Sequence, residues 1–121
     1  MNQLPNKYNL EERTSKFGEQ VIDICKSLKQ DSISGPIIKQ LVRSATSIGA
    51  NYMEANGASS KKDFRNKIHL CKKEVQETKH WLRMLLKCYP ERKVEINKLW
   101  KEAQELTLIF QKITSSLRKD K

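Results

Sequence analysis

The sequence feature that most constrains the fold is the spacing of apolar residues between Ser59 and Cys88. Apolar side chains recur there at alternating intervals of four and three residues, and one threonine occupies the only position where the pattern would otherwise break. These residues are Phe64, Ile68, Cys71, Val75, Thr78, Leu82 and Leu85. Such spacing is typical of a helix that packs one seam against neighbouring helices. The stretch therefore predicts a long helix within an all-α domain.

The opposite side of this predicted helix is strongly basic. When Ile68, Val75 and Leu82 are placed at position a of a heptad, positions b, e and f share one outward side, which contains no carboxylate. We define its cationic residues as the basic face: Lys62, Arg65, Lys72, Lys73, Lys79, Arg83 and Lys87. A solvated helix normally mixes both signs, because opposite charges three or four residues apart stabilise it by about 0.2–0.5 kcal/mol per pair. The basic face thus predicts a surface for a polyanion, while the alternative is a solvated face that only keeps the protein soluble.

Composition supports the same interpretation. A chain of 121 residues can form one domain with a single core, without metal or disulfide support. Its net charge of +10 is uneven, since Ser59 to Cys88 contains nine basic and three acidic residues. This asymmetry indicates a polyanionic partner, either nucleic acid or another anionic surface. Lys61 and Lys67 are expected to assist at the N-terminal end of the basic face.

Cysteine usage and hydropathy predict where the protein resides. Cys25 and Cys71 lie on or beside apolar stripes, and the three cysteines lack close spacing, which indicates reduced, buried thiols. Residues 1–9 lack the basic-then-apolar pattern of a signal peptide, and no apolar run approaches 18 residues. We therefore expect a soluble, cytoplasmic protein that does not enter a membrane.

Turn signals divide the chain into four predicted helices. Residues 1–8 are expected to form a short arm, after which Asn9 and Glu12 have the spacing of a capping box. The break at residues 31–36 and the stop predicted at residues 56–57 enclose the second helix. Ser60 and Asp63 form a second capping pair, and Tyr89 before proline closes the third helix. The predicted helices cover about residues 10–29, 37–56, 60–88 and 91–117 of a single domain, 1–121. Short connections favour an antiparallel up-down-up-down four-helix bundle.

Two further local features accompany these helices. Small residues at Ala45, Gly49 and Ala50 would allow a close approach between the second helix and a neighbour. The apolar stripe of the fourth helix includes Leu99, Trp100 and Ala103, which are expected to be buried.

The second and third predicted helices together resemble a known family. The residues that carry the resemblance are the run 40–48 (QLVRSATSI), Asn51 and Glu54, followed by Asp63, Phe64, Glu74, Glu77, Trp81 and Leu82. They are similar to the family named for proteins encoded in intervening sequences of bacterial 23S ribosomal RNA genes. One departure is Asn56-Gly57, where many members have a glycine directly after the glutamate of the second helix.

The resemblance implies a left-handed four-helix bundle, and members are often assembled as rings of five subunits. A similar protein, the accessory variability factor of diversity-generating retroelements, is a basic pentameric bundle that engages nucleic acid and a reverse transcriptase. The resemblance thus implies a homo-oligomer, most simply a pentamer. Fold-level similarity supports the architecture more strongly than it supports any activity.

One flank of the third helix is a candidate oligomer interface. Leu70, Trp81 and Met84 lie at positions c and g, outside the core seam and away from the basic face. Tryptophan is favoured at subunit interfaces. The alternative is a wide core stripe, because globular helices often bury more than positions a and d.

A strip of polar residues on the second helix is a candidate structural network. Arg43, Ser47, Asn51 and Glu54 step by four, four and three residues, while Glu74 and Glu77 lie near the seam edge of the third helix. We interpret them as a buried or half-buried network that sets helix register, with Arg43 reaching Glu74 or Glu77. The alternative interpretation is an active-site pocket with paired carboxylates.

Metal and catalytic chemistry find little support in the sequence. Glu77 and His80 have the Glu-x-x-His spacing of di-iron bundles, but the sequence has no second copy and His80 falls on the outward side. The cysteines lack zinc spacing, and there is no phosphate-binding glycine loop or nucleophile elbow. We expect no metal, no cofactor and no enzymatic activity.

The sequence therefore favours a non-enzymatic nucleic-acid-binding or scaffold protein that uses the basic face. The alternative is a protein-interaction module whose basic face docks an acidic partner, such as a reverse transcriptase or a ribosome-associated factor.

Overall fold

The computed structural model describes residues 8–119, which contain four α-helices and no strand. The helices are α1 (Leu10–Lys26), α2 (Ser34–Asn56), α3 (Lys61–Cys88) and α4 (Lys93–Lys119), and a 3-10 turn (Pro90–Arg92) separates the last two. The predicted all-α class is confirmed, and the helices form a bundle. The arm predicted for residues 1–8 lies outside the described residues except for Tyr8. No helix among the described residues has the length and apolar character needed to cross a membrane.

The seam predicted from sequence forms the centre of the core. Every one of its seven residues is buried, from Phe64 to Leu85. From α1 the core receives Phe17, Val21 and Ile24. The stripe of α4 is confirmed at Leu99 and Ala103 but not at Trp100, whose exposed fraction is 39%. These residues make one continuous hydrophobic core.

Helix α2 begins at Ser34, three residues before the predicted start. Asp31 Oδ1 accepts the backbone N–H groups of Ile33 (2.9 Å) and Ser34 (2.8 Å), and Ser34 Oγ accepts the N–H of Asp31 (3.0 Å). These bonds satisfy donors that would otherwise be unpaired at the start of the helix. Pro36 fits within this first turn because its missing N–H has no helical partner there.

The predicted caps of α1 and α3 have different outcomes. The prediction of a capping box at Asn9 is wrong, because Asn9 has left-handed dihedrals (φ 49°, ψ 49°) and its side chain makes no capping hydrogen bond. Asparagine tolerates this conformation better than most residues. The cap at Ser60 is confirmed, since Ser60 Oγ accepts the backbone N–H of Asp63 at 3.0 Å. Helix α1 also ends at Lys26, earlier than predicted.

Helix α3 packs between α2 and α4, and α1 completes the bundle. The approach of α1 to α2 is close at Gly18 and Gly49, where an added Cβ would lie 3.6 Å from Thr46 Cγ2 and 3.4 Å from Thr14 Oγ1, respectively. Helices α1 and α4 contact each other less. An open cleft of about 680 Å³ lies between them and is lined mainly by charged side chains.

Candidate nucleic-acid interface

The structure divides the basic face into an open part and a half-buried part. Lys62, Lys73, Arg83 and Lys87 are exposed along α3. Arg65 and Lys72 are half-buried on the side of the helix adjacent to core position a. An α-helix rises 1.5 Å per residue, so the face extends about 38 Å from Lys62 to Lys87.

Lys79 does not lie on the open part of the basic face, and its predicted outward placement is wrong. Its Nζ donates to Gln104 Oε1 of α4 and lies 4.9 Å from the centroid of the Trp100 ring. The side chain is consequently half-buried between the two helices. Position e of α3 faces α4 here, so a residue at this position is enclosed rather than fully solvated.

These contacts define a groove between α3 and α4. On α4, residues separated by three, four or seven positions share one side of the helix. We call this surface the α3–α4 groove: its contacts join Lys79 to Trp100 and Gln104, and helical spacing adds Arg65 and Lys72 of α3 and Asn97 and Gln111 of α4. No carboxylate belongs to this set. The groove adjoins the basic face and extends its cationic surface toward α4.

The carboxylates of α3 and α4 that form ion pairs face other parts of the bundle. Glu74 and Glu77 contact Arg43 of α2. On α4, Glu102 and Glu105 contact Arg13 of α1 at 2.6 Å and 3.1 Å. Glu95 pairs with Arg92 at 2.6 Å. The paired glutamates of α3 and α4 therefore lie mainly toward α2 and α1. The residues of the basic face and of the groove are cationic or neutral.

Arg43, which was predicted to reach Glu74 or Glu77 in a buried or half-buried network, contacts both glutamates, but it does so at the surface. Arg43 Nη1 is 3.3 Å from Glu74 Oε1, Nη2 contacts Glu77 Oε2, and the arginine side chain is 45% exposed. Glu77 Oε2 also accepts from Trp81 Nε1 at 3.0 Å. The hydrogen bond from Trp81, together with Arg43, lowers the pKa of Glu77. This cluster joins α2 to α3.

The remaining members of the predicted polar strip make separate contacts. Ser47 Oγ donates to the carbonyl of Arg43 (2.7 Å), and Asn51 Nδ2 donates to the carbonyl of Ser47 (2.9 Å), both within α2. Glu54 accepts from Lys67 Nζ at 2.7 Å. The strip is therefore not one pocket, and Lys67, which was expected to assist the basic face, is already paired.

The flank predicted as an oligomer interface is partly exposed. Leu70 is 38% exposed, and Trp81 and Met84 are half-buried. The ring of Trp81 packs edge-on against His80, with centroids 4.9 Å apart. The flank thus offers apolar surface beside α2, on the opposite side of α3 from the groove, and its role as an interface stays a prediction.

Cysteine and histidine side chains are placed apart. Within residues 8–119, no three His, Cys, Asp or Glu side chains come together as a metal site would require. Cys25, Cys71 and Cys88 are free thiols. Burial raises the pKa of Cys25 to about 11 and that of Cys71 to about 12. These two thiols act as core residues rather than as ligands or nucleophiles.

The sequence pattern predicted that Trp100 is buried, whereas the structure places it at the surface. Its assignment to the core stripe came from its apolar character and its position beside Leu99. A usable signal was present, because Leu99 and Trp100 are adjacent residues about 100° apart around the helix, so both cannot point to the centre of the core. The missing information was the position of α3, whose Lys79 covers part of the indole ring.

Comparison with known proteins reveals similarity at the level of family and fold. A family model described as "23S rRNA-intervening sequence protein" matches residues 6–112. A solved structure from Bacteroides thetaiotaomicron, described as a protein with unknown function from the S23 ribosomal protein family, is 29% identical with a TM-score of 0.77. The match covers 86% of this chain and 96% of that one. Among curated proteins, no match to the chain is found.

Proposed function

The chain belongs to the 23S rRNA-intervening sequence protein family, and from this premise we propose that it is a non-enzymatic protein that binds the phosphate backbone of RNA or DNA. The basic face of α3, continued by the α3–α4 groove, forms the binding surface. The net charge of +10 favours association with a polyanion. Family membership supports the bundle scaffold, and the chemistry of the surface supports the function.

The observation that carries this proposal is the separation of charge around α3. Its glutamates are engaged by α2, whereas the four exposed cations of the basic face have no acidic residue on their own side of the helix. A face kept only for solubility gains stability from mixed signs. Aligned cations that form no ion pair among residues 8–119 instead suit phosphates, which repeat along a nucleic-acid strand.

The test compares two variants that lose the same charge. In the first, Lys62, Lys73, Arg83 and Lys87 are changed to Gln. In the matched control, four exposed lysines outside α3 and α4 are changed to Gln: Lys16, Lys26, Lys29 and Lys39. Labelled RNA and duplex DNA are titrated at several salt concentrations against each protein.

We expect wild-type binding to weaken steeply with salt, by a slope of about 0.9 per phosphate neutralised on duplex DNA. The first variant should lose most of the affinity and of the slope, and the control should retain both. Absence of binding at low salt by folded protein would reject the proposal. That result would favour the alternative, an acidic protein partner such as a reverse transcriptase or a ribosome-associated factor.

The proposal includes an antiparallel, up-down-up-down and left-handed arrangement of the bundle. Residue pairs whose numbers run in opposite directions support the antiparallel directions, and the left-handed sense is proposed from the family resemblance. Between α2 and α3, Ser44 contacts Thr78 and Glu54 contacts Lys67. Arg13 near the start of α1 contacts Glu102 of α4, and Ser27 just after α1 contacts Arg92 of the 3-10 turn that precedes α4.

We further propose a cytoplasmic homo-oligomer, a pentamer by family resemblance, that uses Leu70, Trp81 and Met84 as its interface. This flank is separate from the basic face, so assembly would leave the cationic surface open and repeat it in each subunit. Repetition raises avidity for a long polyanion. Light scattering should detect dissociation when Leu70 and Met84 are changed to Glu, and an unchanged mass in solution would reject this interface.

A further inference from the structure

The α3–α4 groove holds an exposed aromatic ring and, over it, an ammonium group that has no acidic partner among residues 8–119. Trp100 is 39% exposed, and Lys79 Nζ lies 4.9 Å from the centroid of its ring. The other contact of Lys79 is with the neutral Gln104. Within residues 8–119, the ion pairs belong to different cations: Arg13, Arg43, Lys67 and Arg92. The charge of Lys79 is thus held in place without being neutralised.

We propose that this groove is a subsite for a nucleotide of single-stranded nucleic acid, with the base stacked on Trp100 and its phosphate bound by Lys79. This inference rests on the proposed function and adds the substrate class. Base–aromatic stacking suits any base, because every base has a π face. Lys79 Nζ lies over the Trp100 ring, so its long, flexible side chain turns aside to bind the phosphate when the base stacks on the indole. Arg65 and Lys72 precede Lys79 by 14 and seven residues at the same heptad position of α3.

A single strand fits this arrangement better than a duplex does. In a duplex, the faces of the bases are covered by their neighbours, so a tryptophan can stack only on a base that is unpaired and turned outward. Phosphate contacts alone are available equally in both forms. The subsite therefore gives a preference for single strands, which the basic face by itself does not provide.

The experiment uses the full chain and three probes of about 12 nucleotides, a length within the site sizes of single-strand-binding folds. The probes are oligouridine, a strand of equal charge without bases, and a duplex. Trp100→Leu is compared with wild type. Met53→Ala is the matched control, because Met53 is an exposed apolar residue (65% exposed) of α2, which does not form the groove.

We expect Trp100→Leu to weaken oligouridine binding by about 5- to 150-fold, which corresponds to the loss of one stacked base. Binding of the abasic strand and of the duplex should be unchanged. Met53→Ala should leave all three affinities unchanged. The abasic probe separates stacking from phosphate binding, since it retains the charges and removes the π faces.

A fluorescence measurement keeps the test decisive even where Trp100→Leu folds poorly. The chain contains two tryptophans, so Trp81→Phe leaves Trp100 as the sole indole reporter. Oligouridine should quench this emission at saturation, whereas the abasic strand and the duplex should not.

The outcomes distinguish the two proposals. Oligouridine binding that neither depends on Trp100 nor quenches it overturns the subsite, while the loss of binding in the four-glutamine variant of the basic face would still support the proposed function. Equal weakening of the oligouridine and abasic probes by Trp100→Leu also overturns stacking. A folded wild-type protein that binds none of the probes rejects both proposals.

Discussion

The hydroxyl oxygen of Thr78 lies 2.9 Å from that of Ser44 in the buried space between α3 and α2. Both residues are fully buried. Thr78 Oγ1 is also 2.8 Å from the carbonyl oxygen of Glu74, and Ser44 Oγ is 3.2 Å from that of Leu41. Each hydroxyl therefore has partners inside the core. This pair explains why a threonine is tolerated at a seam position that is otherwise apolar or sulfur-containing.

The Ser44–Thr78 pair should show strong coupling in a double-mutant cycle. Thr78→Val and Ser44→Ala should each lower the free energy of unfolding by about 1–2 kcal/mol, because each leaves a buried hydroxyl without one partner. The double variant should cost at least about 0.5 kcal/mol less than the sum, since removing both polar groups leaves neither orphaned. Urea denaturation measures these values, and strict additivity would contradict the coupling.

Arg43→Met should lower the stability of the α2–α3 contact. The arginine engages Glu74, whose side chain is only 15% exposed, and Glu77, which is 33% exposed. Because Arg43 itself is partly solvated, we expect a loss of about 1 kcal/mol or less, at the upper end for surface pairs. Thermal unfolding and light scattering provide the measurement. An unchanged melting temperature and oligomeric state would refute a structural role.

The stability of the protein should decline with acid partly through Glu77. Its pKa is lowered first by the Trp81 Nε1–H hydrogen bond and then by Arg43. A lowered native pKa means that the stabilisation is present above the ordinary value of 4.5 and is lost as the pH falls through the native pKa. Glu77→Gln should therefore flatten the decline in unfolding free energy as the pH falls below 4.5. Glu19→Gln, at an exposed site on α1, is the control, and an equal flattening there would contradict this assignment.

The seam was predictable from sequence because helical periodicity is local, whereas the environment of Lys79 and Trp100 was not. Lys79 lies at position e, and whether that position meets solvent depends on where α4 packs. Leu99 and Trp100 are adjacent apolar residues about 100° apart around the helix, so both cannot point to the centre of the core. The earlier start of α2 likewise depends on side-chain bonds between Asp31 and Ser34. These features arise from tertiary packing or side-chain geometry, which periodicity does not encode.

Thiol reactivity should distinguish Cys88 from the other two cysteines. Cys25 and Cys71 are buried, with pKa values raised to about 11 and about 12, so they remain protonated and shielded at neutral pH. Cys88 is half-buried near the end of α3. We expect one thiol per native chain to react readily with a thiol reagent at neutral pH, and all three to react in denaturant. Rapid modification of Cys71 in the native protein, located by mass spectrometry, would contradict the core packing.

Gly18→Ala should stabilise the protein even though α1 and α2 approach closely there. An added Cβ would lie 3.6 Å from Thr46 Cγ2 and 3.7 Å from the carbonyl oxygen of Ala45, which are ordinary van der Waals distances. Alanine also restricts the unfolded chain and favours the helix interior, so we expect a gain of about 0.5–1 kcal/mol.

A larger side chain at Gly18 should reverse this effect. Gly18→Leu adds methylenes that the α1–α2 contact has no space for, and overpacking of this kind typically costs about 1–3 kcal/mol. Thermal unfolding of Gly18→Ala and Gly18→Leu measures how side-chain volume at the α1–α2 contact changes the stability of the protein. A stabilised leucine variant would show that α1 shifts easily against α2, and a destabilised alanine variant would show that the helices already lie at their closest approach.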